Sequence, residues 1–332
     1  MEVVKRTRLI GIASALAALG LLFVTKTLSD RTVFQLPNAV QDLLTLSLSI
    51  VIEAFPFVVL GIVLSVVVQV WLPANALTRW LPASGIWRRL YISLFGVLLP
   101  VCECGNVPLA RGLVARGLTP AESLTFLLAA PILNPITLIT TYQAFSSDVR
   151  VVIVRAIAAL LIANLVGWIF SAVKRQETLL TPVFAASCEA PDAHAGHRHR
   201  RFDQSLKLFG NEMGVILPAL FVGSLLAGLI QVAVPREILL SLGANPLLAI
   251  GVMMALAFIV AICSNVDAFF ALAFSSTFSI GSIVAFLVFG PMVDVKMLGL
   301  MRTTYRTSVL VKVSVVVGLA SIVTGLGVHY AL

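Results

Sequence analysis

Charge is what this sequence has least of. Only 11% of its 332 residues are Asp, Glu, Lys or Arg, against roughly 25% in an ordinary soluble domain. That excludes a soluble globular fold. Cysteine is scarce too. The chain has four, and three of them, Cys102, Cys104 and Cys263, fall in or beside apolar runs. This is not the dense disulfide framework of a small secreted domain. No Walker motif is present, which argues against ATP hydrolysis by this chain, and nothing in the sequence calls for a cofactor.

Apolar residues take the place of charge. They make up 59% of the chain, and the mean hydropathy is +1.04. Runs of about 20 apolar residues, each able to cross a ~30 Å hydrocarbon core, recur along the sequence. Spans are expected near Leu9–Lys26, Leu44–Val70, Glu122–Tyr142, Val149–Val173, Leu206–Val234, Gly281–Leu300 and Ser308–Gly327. The first reads as a retained helix, because no small-residue cleavage site follows it. The net charge of +8 lies mostly between apolar runs. It reads as topology and lipid-headgroup contact, with no nucleic-acid partner.

Two further apolar segments are broken in the middle. Leu90–Val114 contains "LLPVCECGNVPLARG", and Pro246–Phe274 contains "AICSNVDAFF". A helix built only to span lipid would avoid Glu103 and Pro108: the first is costly in hydrocarbon and the second deletes a backbone donor.

The chain repeats itself. Pro56, Gly61, Gln69 and Pro73 are matched by Pro218, Gly223, Gln231 and Pro235, with the same intervals of 5, 8 and 4. Cys102 and Asn106 are matched by Cys263 and Asp267, Pro131 and Asn134 by Pro291 and Asp294. The ordered series implies two internal repeats. If both broken segments are re-entrant, then Arg79, Arg88, Arg89, Arg111, Arg116, the central loop, Lys296, Arg302 and Arg306 all fall on the cytoplasmic side. That obeys the positive-inside tendency and makes the halves inverted. The expected fold is an all-α polytopic membrane protein of two inverted repeats. Each repeat has three spanning helices and one broken or re-entrant segment, and an N-terminal helix precedes them. The expected units are 1–42, the N-terminal helix and connector; 43–173, the first repeat; 174–205, a polar His-rich loop, mobile and cytoplasmic; and 206–332, the second repeat.

Broken backbone at membrane depth is tolerated where protein buries it or a cavity hydrates it. The two breaks therefore point to a central site. Cys102 and Cys104 can aim two sulfurs at one soft ion, and Cys263 can supply a third from the opposite break. Packing is the plain alternative for all three. Asn106 and Asn134 are polar candidates there. Glu103, Asp267 and Asp294 are candidates for proton coupling; Asp294 can equally pair with Arg302 or Lys296. Glu53 and Glu212 read as interfacial. Pro131 and Pro135 open a helix and free carbonyls, and Pro291 repeats the first of them. His194, His197 and His199 in "CEAPDAHAGHRHRR" form a second metal-binding candidate, or a merely solvated loop.

At "CECGNVPLARGLVARGLTPAESLTFLLAAPILNPITL" (Cys102–Leu138) and its weaker echo from Cys263 to Leu298, the sequence resembles a family of permeases that includes the methylarsenite efflux permeases (ArsP-like permeases). Some members of that family are linked to copper or zinc efflux. The resemblance implicates Cys102, Cys104, Gly105, Pro108, Pro131, Asn134 and Pro135 in the transport core. Glu103 adds a charge between the thiols, which departs from a simple organoarsenical pocket and leaves a metal cation open.

The expected activity is efflux of a thiophilic metal or metalloid species by an inner-membrane permease, coupled to protons, with no catalysis. One alternative is a metal-binding sensor or partner subunit without transport. Another is a membrane thiol oxidoreductase, since a Cys-x-Cys pair can cycle to a disulfide. Expected partners are the lipid bilayer, the small substrate, and either a second copy or an accessory membrane subunit.

Overall fold

The computed structural model describes residues 37–73, 81–82, 85–98, 101–145, 148–189, 198–233 and 246–331. The expected first helix, Pro235, His194, His197 and the His199 side chain lie outside that description.

The chain is a polytopic all-α membrane protein. Six helical stretches are long and apolar enough to cross a bilayer: Asn38–Trp71, Pro120–Ala144, Val149–Ser171, Arg201–Ala233, Ile280–Met301 and Thr307–Ala331. In chain order the helices are α1 (Asn38–Trp71), α2 (Gly85–Ser93), α3 (Phe95–Leu98), α4 (Glu103–Ala115), α5 (Pro120–Leu133), α6 (Pro135–Ala144), α7 (Val149–Ser171), α8 (Pro182–Glu189), α9 (Arg198–Ala233), α10 (Pro246–Val260), α11 (Asp267–Leu272), α12 (Ile280–Met292), α13 (Val295–Met301) and α14 (Thr307–Ala331). No strand occurs among the described residues; Leu180 and Tyr305 form one isolated bridge.

Both broken segments are visible. The first runs through α2, α3 and α4, and the second through α10 and α11. Two spanning stretches are interrupted as well. Asn134 ends α5 and caps α6, accepting from Ile136 N, while Asp294 caps α13 by accepting from Met297 N. Pro135 starts α6, where its missing N–H is harmless.

Close approaches give the directions. A methyl at Gly61 would collide with the Gly105 carbonyl, and one at Gly112 with Ser65, so α1 and α4 run side by side in the same sense. Gly228 meets Ser47, and Arg111 near the end of α4 meets Glu212, so α9 runs against α1. Gly167 meets Thr125 and Arg155 meets Thr141, so α7 runs against α5–α6. Gly325 meets Gly281, and Gly318 lies by Phe289, so α14 runs against α12. Tyr305, just past α13, donates to the Pro120 carbonyl at the start of α5 at 3.4 Å. Thus α1 runs opposite to α9, α5–α6 opposite to α12–α13, and α7 opposite to α14.

Lipid-facing and core helices sort by exposure. Ile52, Leu161, Trp168, Val222, Leu229, Val311 and Val323 are exposed on α1, α7, α9 and α14. Every residue of α5, and every residue of α12 after Ile280, is buried, so these two lie at the centre. Small residues let the backbones approach, as expected where lipid gives no hydrophobic drive for helices to associate.

The stretch between the halves is more ordered than its composition suggests. It forms a 3₁₀ turn, Gln176–Leu179, and then α8. Arg306 N donates to Leu179 O at 3.1 Å, Thr181 N to Thr304 O at 2.9 Å, and Arg306 Nε to Leu180 O at 3.0 Å. Helix α9 already begins at Arg198, taking over the end of the expected loop.

Candidate functional site

The two breaks meet. Val101 and Cys102 are non-helical, and Asn106 Nδ2 and Asn134 Nδ2 each donate to the Val101 carbonyl at 3.4 Å. Thr137 Oγ1 lies 2.9 Å from the Pro131 carbonyl that the kink frees and 3.1 Å from Asn265 Oδ1 in the other break. In that second break Ala261 has φ +50°, a left-handed backbone that costs a residue with a Cβ about 1–3 kcal/mol. Gln231, one of the repeated residues, supports it by donating to Ile259 O at 3.4 Å and Val260 O at 3.0 Å. The side chains that recur in the sequence here satisfy the carbonyls the breaks expose, which hydrocarbon could not do.

Between the breaks, among the described residues, two thiols and a carboxylate converge. Cys102 Sγ, a Glu103 carboxylate oxygen and Cys263 Sγ all lie within 4.8 Å of one another. Glu103 is wholly buried. Its Oε2 has Cys263 Sγ at 3.8 Å and accepts from Ser264 Oγ at 3.1 Å. Its Oε1 accepts from Lys296 Nζ at 2.9 Å. Cys104 neighbours the Cys102 thiol but does not belong to the three-atom cluster. Two sulfurs and a carboxylate suit a thiophilic cation. Three donor atoms would leave one position of a tetrahedral ion open.

Glu103 pairs with Lys296, which the charge pattern puts on the cytoplasmic side and which is also a candidate partner of Asp294; it is 3% exposed and points to the cluster. Its place in the first turn of α13 buries it between the halves, which a charge count along the chain cannot register. Arg111, expected on the same side, is buried too. It pairs with Glu212 at 2.9 Å, donates to Thr303 O at 3.1 Å and lies 4.2 Å over the Phe184 ring. Glu212 is therefore a structural partner and not merely interfacial.

Three ion pairs among the described residues cross between the halves: Arg111–Glu212, Glu103–Lys296 and Arg155–Asp267. Arg155 is completely buried in α7. Both its terminal nitrogens reach Asp267, and one also donates to Thr141 Oγ1 at 2.6 Å. Sequence reasoning passed over Arg155. The signal was there: a lone arginine within "VVIVRAIAALLIAN" has to find a partner. Of the other carboxylates, Asp294 lies 3.9 Å from Lys296 Nζ and not on Arg302, and its Oδ2 is buried with no hydrogen-bond partner. Glu53 is exposed on α1. Asn106 Oδ1 is likewise buried without a partner. Gly105 marks the α1 contact, and Pro108, Pro131 and Pro291 lie inside α4, α5 and α12. Outside the spans, burial raises the Tyr305 hydroxyl above its ordinary pKa, so it stays a donor to Pro120.

A family described as "Predicted permease" matches residues 39–330. The chain belongs to that family. A protein of Streptococcus mutans, named as a subunit of a two-component membrane permease complex, is 35% identical over 82% of this chain and 90% of its own. UPF0718 protein YcgR of Bacillus subtilis is 37% identical over 78% of this chain and 87% of its own. UPF0718 protein YraQ of Escherichia coli is 28% identical over 49% of this chain and 46% of its own. No solved structure matches.

Proposed function

We propose that this member of the permease family carries a thiophilic metal or metalloid species, of the Zn, Cu or organoarsenical class, out across the inner membrane. The observation that carries the reading is the convergence of Cys102, Glu103 and Cys263 at two helix breaks inside the spans. Cys102 and Cys263 are the sulfur ligands, Glu103 the carboxylate ligand. Asn106, Asn134, Pro131, Pro135, Pro291, Gly105 and Pro108 keep the broken backbone in shape, and Cys104 backs Cys102. The opposed directions of matching helices support two inverted repeats that expose this site to each side in turn, by rocking of one half against the other. Arg111–Glu212 and Arg155–Asp267 are then the contacts that must open. Protons supply the energy through the buried carboxylates Glu103, Asp267 and Asp294. The face holding Arg88, Arg111, Arg306 and the central segment is cytoplasmic, by the excess of positive charge there. His194, His197 and His199 in that segment stage or sense metal.

Everted membrane vesicles test the reading. Vesicles from cells expressing the chain should accumulate Zn²⁺, Cd²⁺, Cu⁺ or methylarsenite more than control vesicles, and a protonophore should abolish the difference. No gain with any of the four refutes it. A second reading, that the chain is one subunit of a larger permease, draws on the naming of the S. mutans relative. It predicts accumulation only when a second membrane protein is co-expressed.

A further inference from the structure

Lys296 is held unlike an ordinary structural ion-pair partner. Its backbone is clamped: a methyl at Gly223 of α9 would lie 3.2 Å from the Lys296 carbonyl oxygen and 3.4 Å from its Cα. Its side chain has two places to go. Nζ donates to Glu103 Oε1 at 2.9 Å and lies 3.9 Å from Asp294 Oδ2. That Asp294 oxygen is buried and has no hydrogen-bond partner, while Oδ1 is tied to Met297 N as the cap of α13. A second carboxylate therefore stands fixed beside the ammonium, with an acceptor to spare. A lysine has four carbons of flexible stem, and small torsional changes move its head between the two.

The candidate ligands need that movement. A cation held by Cys102 and Cys263 must draw its carboxylate oxygen from Glu103. An ammonium and a metal cation at one buried carboxylate repel each other strongly. If the ammonium simply left, it would be a buried charge alone, the costly case for any ion pair. Asp294 removes that cost. Resting on the soft-cation reading above, we propose that Lys296 is a tethered counter-cation: it yields Glu103 to the substrate and is received by Asp294. Competition of this kind weakens substrate binding enough for release, which any conduction site requires. It also makes the protein sense the charge of its cargo. A neutral metalloid species that binds sulfur alone leaves Lys296 where it is.

The test reads Cd²⁺ affinity of the full-length protein in detergent, through the cadmium–thiolate charge-transfer absorption. Lys296→Gln keeps a donor for Glu103 but removes the competing charge, and affinity should rise about tenfold or more, given the size of close charge-pair couplings. Asp294→Asn keeps the α13 cap and the Lys296–Glu103 pair but removes the receiving charge, and affinity should fall about tenfold. Lys296→Arg should stay near wild type. A purely structural ion pair predicts the same sign for Lys296→Gln and Asp294→Asn; opposite signs are the signature of exchange. Unchanged or weaker binding by Lys296→Gln, with the thiolate band present in wild type, overturns this inference alone. Absence of the band from both wild type and Lys296→Gln overturns it together with the soft-cation reading. Asp294→Asn leaves every ion pair to Glu103 in place, so it decides the matter if Lys296→Gln does not fold; stronger binding by it is refuting.

Discussion

Replacing Asp267 with Asn should destabilise the protein more than any change of comparable size on its lipid face. Arg155 is completely buried, and Asp267 holds both of its terminal nitrogens. Thr141 accepts one further bond, and Arg155 Nε has no partner at all. Asn keeps the shape and one acceptor but removes the charge, so the guanidinium is left buried and uncompensated. Breaking a buried pair on one side costs about 3–5 kcal/mol, and the amide oxygen that remains places Asp267→Asn near 3. Arg155→Met alone strands the carboxylate and should cost about as much. The double variant Asp267→Asn/Arg155→Met strands no charge and leaves only a buried amide short of partners, so its cost should fall to about 1–3 kcal/mol. The singles therefore sum to about 6 kcal/mol, while the double shows about half of that or less. A reversible unfolding titration in mixed micelles measures all three. Additive effects, or a single variant within 1 kcal/mol of wild type, would refute the reasoning and show that water reaches Arg155.

Other expectations can be checked more simply. Cys102→Ser and Cys263→Ser should each abolish vesicle transport at normal membrane abundance, while Cys104→Ser, outside the three-atom cluster, should weaken it less; wild-type rates in Cys102→Ser/Cys263→Ser would reduce these residues to packing. Cysteines placed at Ala115 and at Lys174 should be labelled by an impermeant thiol reagent from the same, cytoplasmic side, and one at Tyr330 from the other; labelling of the first two from opposite sides would rule out the re-entrant hairpin. Gly61→Ala should sharply reduce folded protein in the membrane, because its methyl would strike the Gly105 carbonyl and neither backbone can retreat; normal yield would mean α1 and α4 are not packed as described.

Much of this was readable in the sequence, for a physical reason. Lipid forces every backbone polar group to be satisfied internally, so spans announce themselves as apolar runs and breaks as the residues that lipid would not tolerate. Hydropathy alone placed the described spans close to their observed ends, and "VCECGNVP" and "AICSNVDAFF" marked the two breaks. The recurrence of Pro, Gly and Gln paired α1 with α9, and that of Pro131 and Pro291 paired α5 with α12; Gln231 sits where a break exposes carbonyls. The charges were a different matter. Lys296 and Arg111 lie near the ends of apolar runs, where a linear count gives only a side of the membrane, and Arg155 lies inside one. Which carboxylate each meets depends on how halves separated by more than a hundred residues pack: Arg111 reaches Glu212, Arg155 reaches Asp267, and Lys296 reaches back to Glu103. The same holds for the sulfurs. Spacing put Cys102 and Cys104 together and their thiols remain neighbours, but it is Cys263, from the other half, that shares the carboxylate with Cys102. Local sequence determines where a chain bends, because bending is a property of neighbouring residues; only the packed structure decides which buried charge answers which.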